Sequence, residues 1–556
     1  MKWLLPILLL TIFFRFIYLG TVPNAIGGDE LHYVVTAKSV WLTGHDIGGA
    51  WNPWSLLWFR YPPSEQAAEL PYLLHLISGA PFPFSMALVK LPFAILSVGI
   101  VILLWAITLT LFGPSVALAT AAVSAVNPWL IVMGRSAYEA TPAMFFYLLA
   151  LLVIFRTKKW NILWTAVPLL LAFYSYIATK VIFVPFVIGI SLLAYLKHEK
   201  KYFTQYLILV AFSIVTAVAF YILTKTDPSG SRLGDLLLPQ SSSIADVVNQ
   251  LRKTTIDTAL LPLLVNKYTI YFQILLSKFF RIFSASYLFT EGDQFFLPGG
   301  QSFFYWLDAV FILLGFIRMF TKQRRYTWIL CLFIFIGAIP QLINTTRGDF
   351  SIHLTMLFPF LLPVIGAGII YALSIVPKQL KIIMLFTIFT FYVLNVANFS
   401  LVYFFQYPLV AKNDFHMRLL TKYLELTKTH NAPAIVYVVS PSDVFQKYIV
   451  YANAITKNTI PQLSFEGITF APCAGAEAQH TTTAITIYDV GCKTVPEETH
   501  TSITTLVDAG ETYKIFNDTV CTAYRLKRYP DHISIKNFAI ESLSEKTFCE
   551  TYISQR

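Results

Sequence analysis

Trp3-Leu4-Leu5-Pro6-Ile7-Leu8-Leu9-Leu10-Thr11-Ile12-Phe13-Phe14-Arg15-Phe16-Ile17-Tyr18-Leu19 opens the chain, and Ile26-Gly27-Gly28-Asp29-Glu30-Leu31-His32-Tyr33 follows within a few residues. The first stretch is apolar apart from Arg15 and approaches the roughly 20 residues that a helix needs to cross a bilayer. It lacks a clear small-x-small cleavage site, so it reads as a retained first span rather than a secretory signal. The second stretch sets two adjacent carboxylates just beyond the end of that span. A membrane transporter has little need of paired acids at the mouth of its first helix. An enzyme that takes a proton from an acceptor at the membrane surface does.

Further apolar windows near spanning length lie at 84–112, 115–133, 139–156, 161–178, 180–196, 203–224, 302–320, 327–345, 352–376 and 381–405. With 3–20 they make eleven expected spans. The short links between them alternate in charge. Arg156-Thr157-Lys158-Lys159, Lys197-His198-Glu199-Lys200-Lys201, Lys322-Gln323-Arg324-Arg325 and Pro377-Lys378-Gln379-Leu380-Lys381 form a basic set, and the other links are long or poor in Lys and Arg. The positive-inside rule puts the basic set and the N-terminus in the cytoplasm, and an odd number of spans then puts the C-terminus outside. Three hydrophilic regions face outward on this reading: 21–83, 225–301 and 408–556. Within the second, the amphipathic stretch 245–281 is expected to lie in the interface plane.

Composition agrees with a membrane protein. Of 556 residues, 56% are hydrophobic and 13% charged, against about 25% charged in soluble domains. The net charge of +11 does not point to nucleic acid, because residues 1–407 hold 27 Lys and Arg against 15 Asp and Glu, whereas 408–556 hold 14 against 15. The excess belongs to the membrane part, where loop charge sets topology.

The tail has soluble α/β character. Residues 413–430 carry helical apolar spacing through Phe415, Leu419, Leu420, Tyr423 and Leu424. Ala434-Ile435-Val436-Tyr437-Val438-Val439 reads as a buried strand, closed by Ser440-Pro441-Ser442-Asp443 ahead of a helix over 443–454. Ala484-Ile485-Thr486-Ile487-Tyr488 and 513–528 read as further strands. About 150 residues can hold a core of their own. No internal repeat is visible. Of the five cysteines, Cys331 lies in an apolar run, and Cys473, Cys492, Cys521 and Cys549 all fall in the tail. An even set in an outward-facing domain suggests two disulfides. A zinc site is the alternative, though no C-x-x-C spacing occurs. Cys473–Cys492 and Cys521–Cys549 close the shortest loops and cost least entropy to form.

Ionisable groups at membrane depth are functional candidates. Here they gather at expected outer span ends: Asp29, Glu30, Arg135, Glu139, Lys180, Arg347, Asp349 and His353, with Lys90 and Asp308 nearby. One member of a carboxylate pair can act as general base toward a hydroxyl while the other orients it or holds a divalent cation. The basic residues suit a phosphate, Arg as a bidentate fork and Lys as a point charge. Simpler roles stand beside these. Arg15 can snorkel. Lys90 and Asp308 can pair, and Arg135 and Glu139 can form an i,i+4 pair. His353 can be a satisfied core histidine, and Asp29-Glu30 can merely cap a helix over 30–43.

The pieces fall in a recognisable order. They are Arg15-Phe16-Ile17-Tyr18-Leu19, Gly28-Asp29-Glu30-Leu31-His32-Tyr33, Tyr61-Pro62-Pro63, Lys90-Leu91-Pro92, Phe112-Gly113 and Asn127-Pro128-Trp129. Gly134-Arg135-Ser136-Ala137-Tyr138-Glu139, Tyr174-Ser175-Tyr176 with Lys180, and Arg347 with His353 before a Pro-containing span complete the set. Over roughly residues 1–405 the chain resembles the GT-C-type, polyprenyl-phosphate-dependent glycosyltransferases, in the group of protein O-mannosyltransferases and aminoarabinose transferases. The resemblance implies that Asp29 is the catalytic base or its close partner, with Glu30 the other member of the catalytic pair. It implies that Arg135, Glu139, Lys180, Arg347, His353 and Tyr61 bind substrate, the basic ones at the lipid phosphate. Many relatives carry His before the Pro-Pro pair; Tyr61 stands there here, so a role for that His does not transfer.

The expected fold class is thus an all-α polytopic membrane protein, GT-C-like, with about 11 transmembrane helices, N-terminus in and C-terminus out. Residues 1–407 form its catalytic part, and 408–556 a small extracytoplasmic α/β domain. The expected function is transfer of one sugar from a polyprenyl-phosphate donor to a hydroxyl of a protein, lipid or glycan on the extracytoplasmic face of a prokaryotic plasma membrane. Inversion is expected, membrane lipids surround the site, and no nucleic acid takes part. The reading fixes no cofactor and leaves metal dependence open; a divalent cation, where one is used, would sit at Asp29 and Glu30. The rival functions are a transporter or flippase for lipid-linked substrates, and a receptor or scaffold without catalysis.

Overall fold

The computed structural model describes residues 3–49, 51–58, 69–198, 202–225, 241–293, 295–297, 299–344, 350–410, 415–455, 463–473, 484–493, 495, 499–505, 511–524 and 533–555. Helices dominate up to residue 410. In order they are α1 Leu4–Phe16, α2 Gly28–Thr43, α3 Glu69–Ser78, α4 Met86–Phe112, α5 Pro114–Val126, α6 Pro128–Gly134, α7 Ala140–Arg156, α8 Ala166–Phe173, α9 Ile177–Lys180, α10 Phe183–His198 and α11 Phe203–Thr224. Next come α12 Ser241–Lys253, α13 Lys267–Ile282, α14 Trp306–Lys322, α15 Arg324–Ile343, α16 Phe358–Ile375 and α17 Lys381–Ser400. Each of the eleven apolar windows holds helix. Among the described residues, five helices are long and apolar enough to cross a membrane, or six if the bent pair α5–α6 is one span; α1, α7 and α10 are shorter. Length and composition therefore carry five or six crossings, and the remaining windows form helices below spanning length.

The break between α5 and α6, a bend of 59°, has a local cause. Pro128 has no N–H to offer the Ser124 carbonyl four residues back. Arg15 supplies the missing donors from α1: one terminal nitrogen donates to Ser124 O at 3.1 Å, the other to Ala125 O, and Nε donates to Ser97 Oγ at 3.3 Å. Tyr305 Oη donates to Val126 O at 2.8 Å, and Asn127 caps α6 by accepting from Leu130 N. Arg15 is fully buried. It does not snorkel: the carbonyls freed by the break draw it inward. Elsewhere α14 and α16 approach backbone to backbone, since a Cβ at Gly368 would collide with Phe311 O and one at Gly315 with Val364 O. Small residues permit such contact where helices pack inside a bilayer.

The tail folds as α18 Phe415–Thr429, β1 Ala434–Val438, α19 Pro441–Tyr451, β2 Ser464–Phe465, β3 Ile468–Pro472, β4 Ile485–Asp489, β5 Thr501–Thr504, β6 Glu511–Phe516, α20 Glu545–Tyr552 and β7 Ile553–Gln555. The strands form one sheet in the order β2-β3-β1-β4-β6-β5-β7. β1 runs parallel to both β3 and β4, and the other pairs are antiparallel. Of the strand expected over 513–528, residues 513–516 lie in β6, 517–524 are not strand, and 525–528 lie outside the described residues. Cys473 is bonded to Cys492, and Cys521 to Cys549, the connectivity that short loop closure favours. The tail does not keep its core to itself. Leu419, Tyr423, Val436 and Tyr448 belong to one buried cluster with Ala25, Ile26, Leu31, Val35 and Phe93.

His75 on α3 lies within this junction, its ring 5.3 Å from that of Phe93. Among the described residues neither ring nitrogen has a hydrogen-bond partner, and burial pushes its pKa down to about 3. A histidine held neutral in the folded state contributes stability that is fully present above its unfolded value near 6.5 and is lost as pH falls through that value toward 3. The protein should therefore lose about 2 kcal/mol from this group between pH 7.5 and pH 5, at about 1.4 kcal/mol per unit. Unfolding midpoints in detergent at both pH values test this: His75→Asn should remove that part of the acid sensitivity. An equal drop in both proteins would assign it to other groups.

Candidate functional site

α2 begins in a way that separates the two acids. Gly27 is extended at the N-cap, and Glu30, at the third helical position, turns its side chain back so that Oε2 accepts from Gly27 N. Its other oxygen accepts from Ala137 N, in the turn between α6 and α7. Glu30 is 3% exposed. Burial pushes its carboxyl above the usual carboxylate range, against the two backbone donors and Lys90, which pull it down. Asp29, one residue earlier, is exposed and accepts no hydrogen bond among the described residues. One acid builds the turn. The other is available for chemistry.

The residues around the pair are tied to the same turn. Tyr33 Oη donates to Glu139 Oε2 at 3.0 Å, joining α2 to the start of α7. Lys90 Nζ donates to Pro23 O at 2.6 Å. Arg135 donates to Phe14 O and Arg15 O at 3.0 Å and to Val22 O at 2.8 Å, and its guanidinium lies over the rings of Phe404 and Tyr403, 4.9 and 5.7 Å from their centroids. Arg135 is completely buried. With both terminal nitrogens committed to backbone, it is placed to hold the 14–22 turn rather than a phosphate. Arg135 and Glu139 thus go to different partners. Lys90 and Asp308 do not meet either: Asp308 accepts from Tyr305 N at 2.9 Å and from Tyr392 Oη.

A second group of polar residues surrounds His353. Its Nδ1 lies 2.8 Å from Asn344 Nδ2 and 3.2 Å from Gln341 Oε1, and its ring stacks on Tyr176 with centroids 6.2 Å apart. Tyr176 is the N-cap of α9, whose last residue, Lys180, sets its ammonium 4.6 Å from the Phe220 ring and 5.1 Å from that of Phe173. Lys278 on α13 donates to Asn344 O. Burial lowers the Lys278 pKa below the ordinary lysine value. Lys278 was not among the expected site residues. Its only sequence signal is its place in the amphipathic stretch 245–281. Arg347, Asp349 and Tyr61 lie outside the described residues.

Rings connect the two groups. Tyr138 meets Phe296 at 5.2 Å, Phe296 meets Phe350 at 5.1 Å, and Phe350 meets His353 at 5.0 Å. Asp293 fixes this path by accepting from Phe295 N at 2.7 Å and Ser351 N at 2.8 Å. The Asp29 turn thus adjoins Phe296 through Tyr138, which lies beside Gly27, and adjoins the tail through Ala25, Ile26 and Leu31. As for a cation, each Glu30 oxygen accepts one backbone N–H, and the Asp29 carboxylate beside it is exposed. The described residues contain no group of three His, Cys, Asp or Glu suited to a metal.

The arrangement of helices and sheet is shared with a solved protein. The structure of ArnT from Cupriavidus metallidurans in the apo state superposes with a TM-score of 0.51 at 9% identity, over 92% of this chain and 98% of that one. The fold is of the GT-C type. The same ArnT bound to undecaprenyl phosphate gives a TM-score of 0.50 at 9% identity over the same shares. No family model matches the sequence, and no curated protein matches it. At this identity the likeness concerns the GT-C fold alone, and the roles of Asp29 and its neighbours rest on the geometry above.

Proposed function

We propose that this chain is a membrane glycosyltransferase that moves one sugar from a polyprenyl-phosphate carrier to an acceptor hydroxyl. The observation that carries the proposal is the division of the acidic pair. Asp29 keeps an exposed carboxylate, unbonded among the described residues, at the start of α2 while Glu30 and Ala137 hold the turn beneath it. The acceptor oxygen attacks the sugar's anomeric carbon, its proton passes to Asp29, and the bond to the lipid phosphate breaks, leaving that phosphate with the electron pair. One base and one leaving group make a single displacement, so the product is inverted. Developing charge on the phosphate needs fixed cations. Lys180 and Lys278 are proposed for that role, together with Arg347, whereas Arg135 is reassigned to the turn. The undecaprenyl phosphate bound by ArnT, a protein of the same fold, supports a lipid-phosphate carrier here.

On this reading residues 1–407 are the catalytic part and 408–556 a cap over its polar end. The basic links Arg156-Thr157-Lys158-Lys159 and Lys322-Gln323-Arg324-Arg325 support a cytoplasmic opposite end, with the site on the extracytoplasmic face of a prokaryotic plasma membrane. Mass spectrometry of lipid carried through purification tests the class of donor. An isoprenoid phosphate or its glycoside is expected. Ordinary phospholipid alone, with no retention of added undecaprenyl phosphate, would overturn the proposal.

A further inference from the structure

Three consecutive backbone carbonyls lead into the Asp29 turn, and each is held by a different buried cation. Val22 O takes Arg135, Pro23 O takes Lys90, and Asn24 O takes Arg418. The first two cations come from the helical bundle, at the end of α6 and on α4. The third comes from the tail. Arg418 sits on α18, is 1% exposed, and is itself clamped: Nε donates to Glu541 Oε1 at 2.8 Å and a terminal nitrogen to Glu541 Oε2 at 2.6 Å. The same nitrogen reaches Phe538 O at 3.3 Å. The Asn24 side chain answers from the other direction, donating to Pro408 O at 2.7 Å. Ala25 and Ile26, the next residues, are packed into the tail's apolar cluster.

We infer that the tail positions Asp29, with Arg418 as the positioning residue and Glu541 as its orienter. A guanidinium held as a fork by one carboxylate keeps its remaining N–H in a fixed direction. That N–H ends on Asn24, five residues before Asp29. Among the described residues no other donor reaches Asn24 O, so loss of the cation frees the strap of residues 22–26 to move. A small displacement of a base from its proton costs rate more than binding. Arg418 touches no reacting atom. It acts through the strap.

The inference rests in part on Asp29 as the base, so the test has one arm that needs no catalysis. Purified full-length protein in detergent is compared as wild type, Arg418→Gln, Arg418→Lys and Glu541→Gln. Hydrogen exchange is read at the amides of residues 25–33 and at those of β1, β4 and β6. In Arg418→Gln, exchange over 25–33 should rise about tenfold, the effect of losing one hydrogen bond worth about 1.4 kcal/mol, with the sheet unchanged. Arg418→Lys, which keeps a charged donor, should recover part of the protection. Glu541→Gln should give an intermediate rise with Arg418 still in place.

In the transfer assay kcat should fall about tenfold in Arg418→Gln while KM for the lipid donor stays within about twofold. Unchanged exchange over 25–33 in Arg418→Gln would overturn the inference. So would an equal rise over 25–33 and the whole sheet in all three variants, which would mean that Arg418 only holds the tail together. If wild type transfers no sugar, the exchange arm still decides the positioning role, and the failure belongs to the proposed function.

Discussion

Asp29→Asn should lower sugar transfer at least a hundredfold while the protein is made, inserted and purified as a single species. The exchange keeps volume and shape and removes the proton-accepting carboxylate, and loss of a general base costs about 10² to 10⁴ in rate. Folding should be spared because Asp29 is exposed and makes no hydrogen bond among the described residues. Glu30→Gln provides the contrast. It puts an amide N–H against either Gly27 N or Ala137 N, two donors that need acceptors, so its effect should fall on stability and only secondarily on rate. Turnover of isolated lipid-linked donor by Asp29→Asn at the wild-type rate would remove Asp29 from the chemistry. A loss in Glu30→Gln alone, with unfolding unchanged, would transfer the role to its neighbour.

The largest effect on stability should come from Arg15→Met. It deprives Ser124 O and Ala125 O of their donors at the α5–α6 break. A buried group left without a partner costs about 1–3 kcal/mol. Relief from burying the guanidinium offsets part of this, leaving a net loss of about 3 kcal/mol. Arg15→Lys should lie between, since an ammonium can serve one carbonyl. Denaturant unfolding in mixed micelles measures the difference. A snorkelling arginine at a span end would give a change within about 0.5 kcal/mol, as surface substitutions do, and that result would return Arg15 to the lipid interface.

Much of the architecture was legible beforehand because it is written in local pattern. The apolar windows became helices since a hydrophobic run in lipid must satisfy its backbone internally. The tail's α18, β1, α19 and β4 followed from periodicity and from the Ser440-Pro441 signal. The disulfides followed from loop length. The count of crossings was less legible. α1, α7 and α10 stop short of spanning length, and Pro128 splits one window into two helices, because a window of apolar residues does not say where its backbone hydrogen bonds fail.

The sequence offers candidate residues for a site but not their partners. Asp29 and Glu30 are adjacent and chemically alike, yet the N-cap geometry at Gly27 and the donor at Ala137, more than a hundred residues away, bury one and leave the other in the open. Arg15, Lys90 and Arg135 read as snorkelling, ion pairing and phosphate binding; all three end on backbone carbonyls. Lys278 and Arg418 stand in no such motif, and each reaches a carbonyl too. By itself the sequence determined where apolar helices form, the acidic pair, most of the tail's elements and its disulfides, since these depend on side-chain type at short spacing. Only the tertiary structure decided what the buried cations hold. Every residue carries the same carbonyl, so the partner of such a cation leaves no mark in the sequence, and only the folding of distant segments onto one turn selects it.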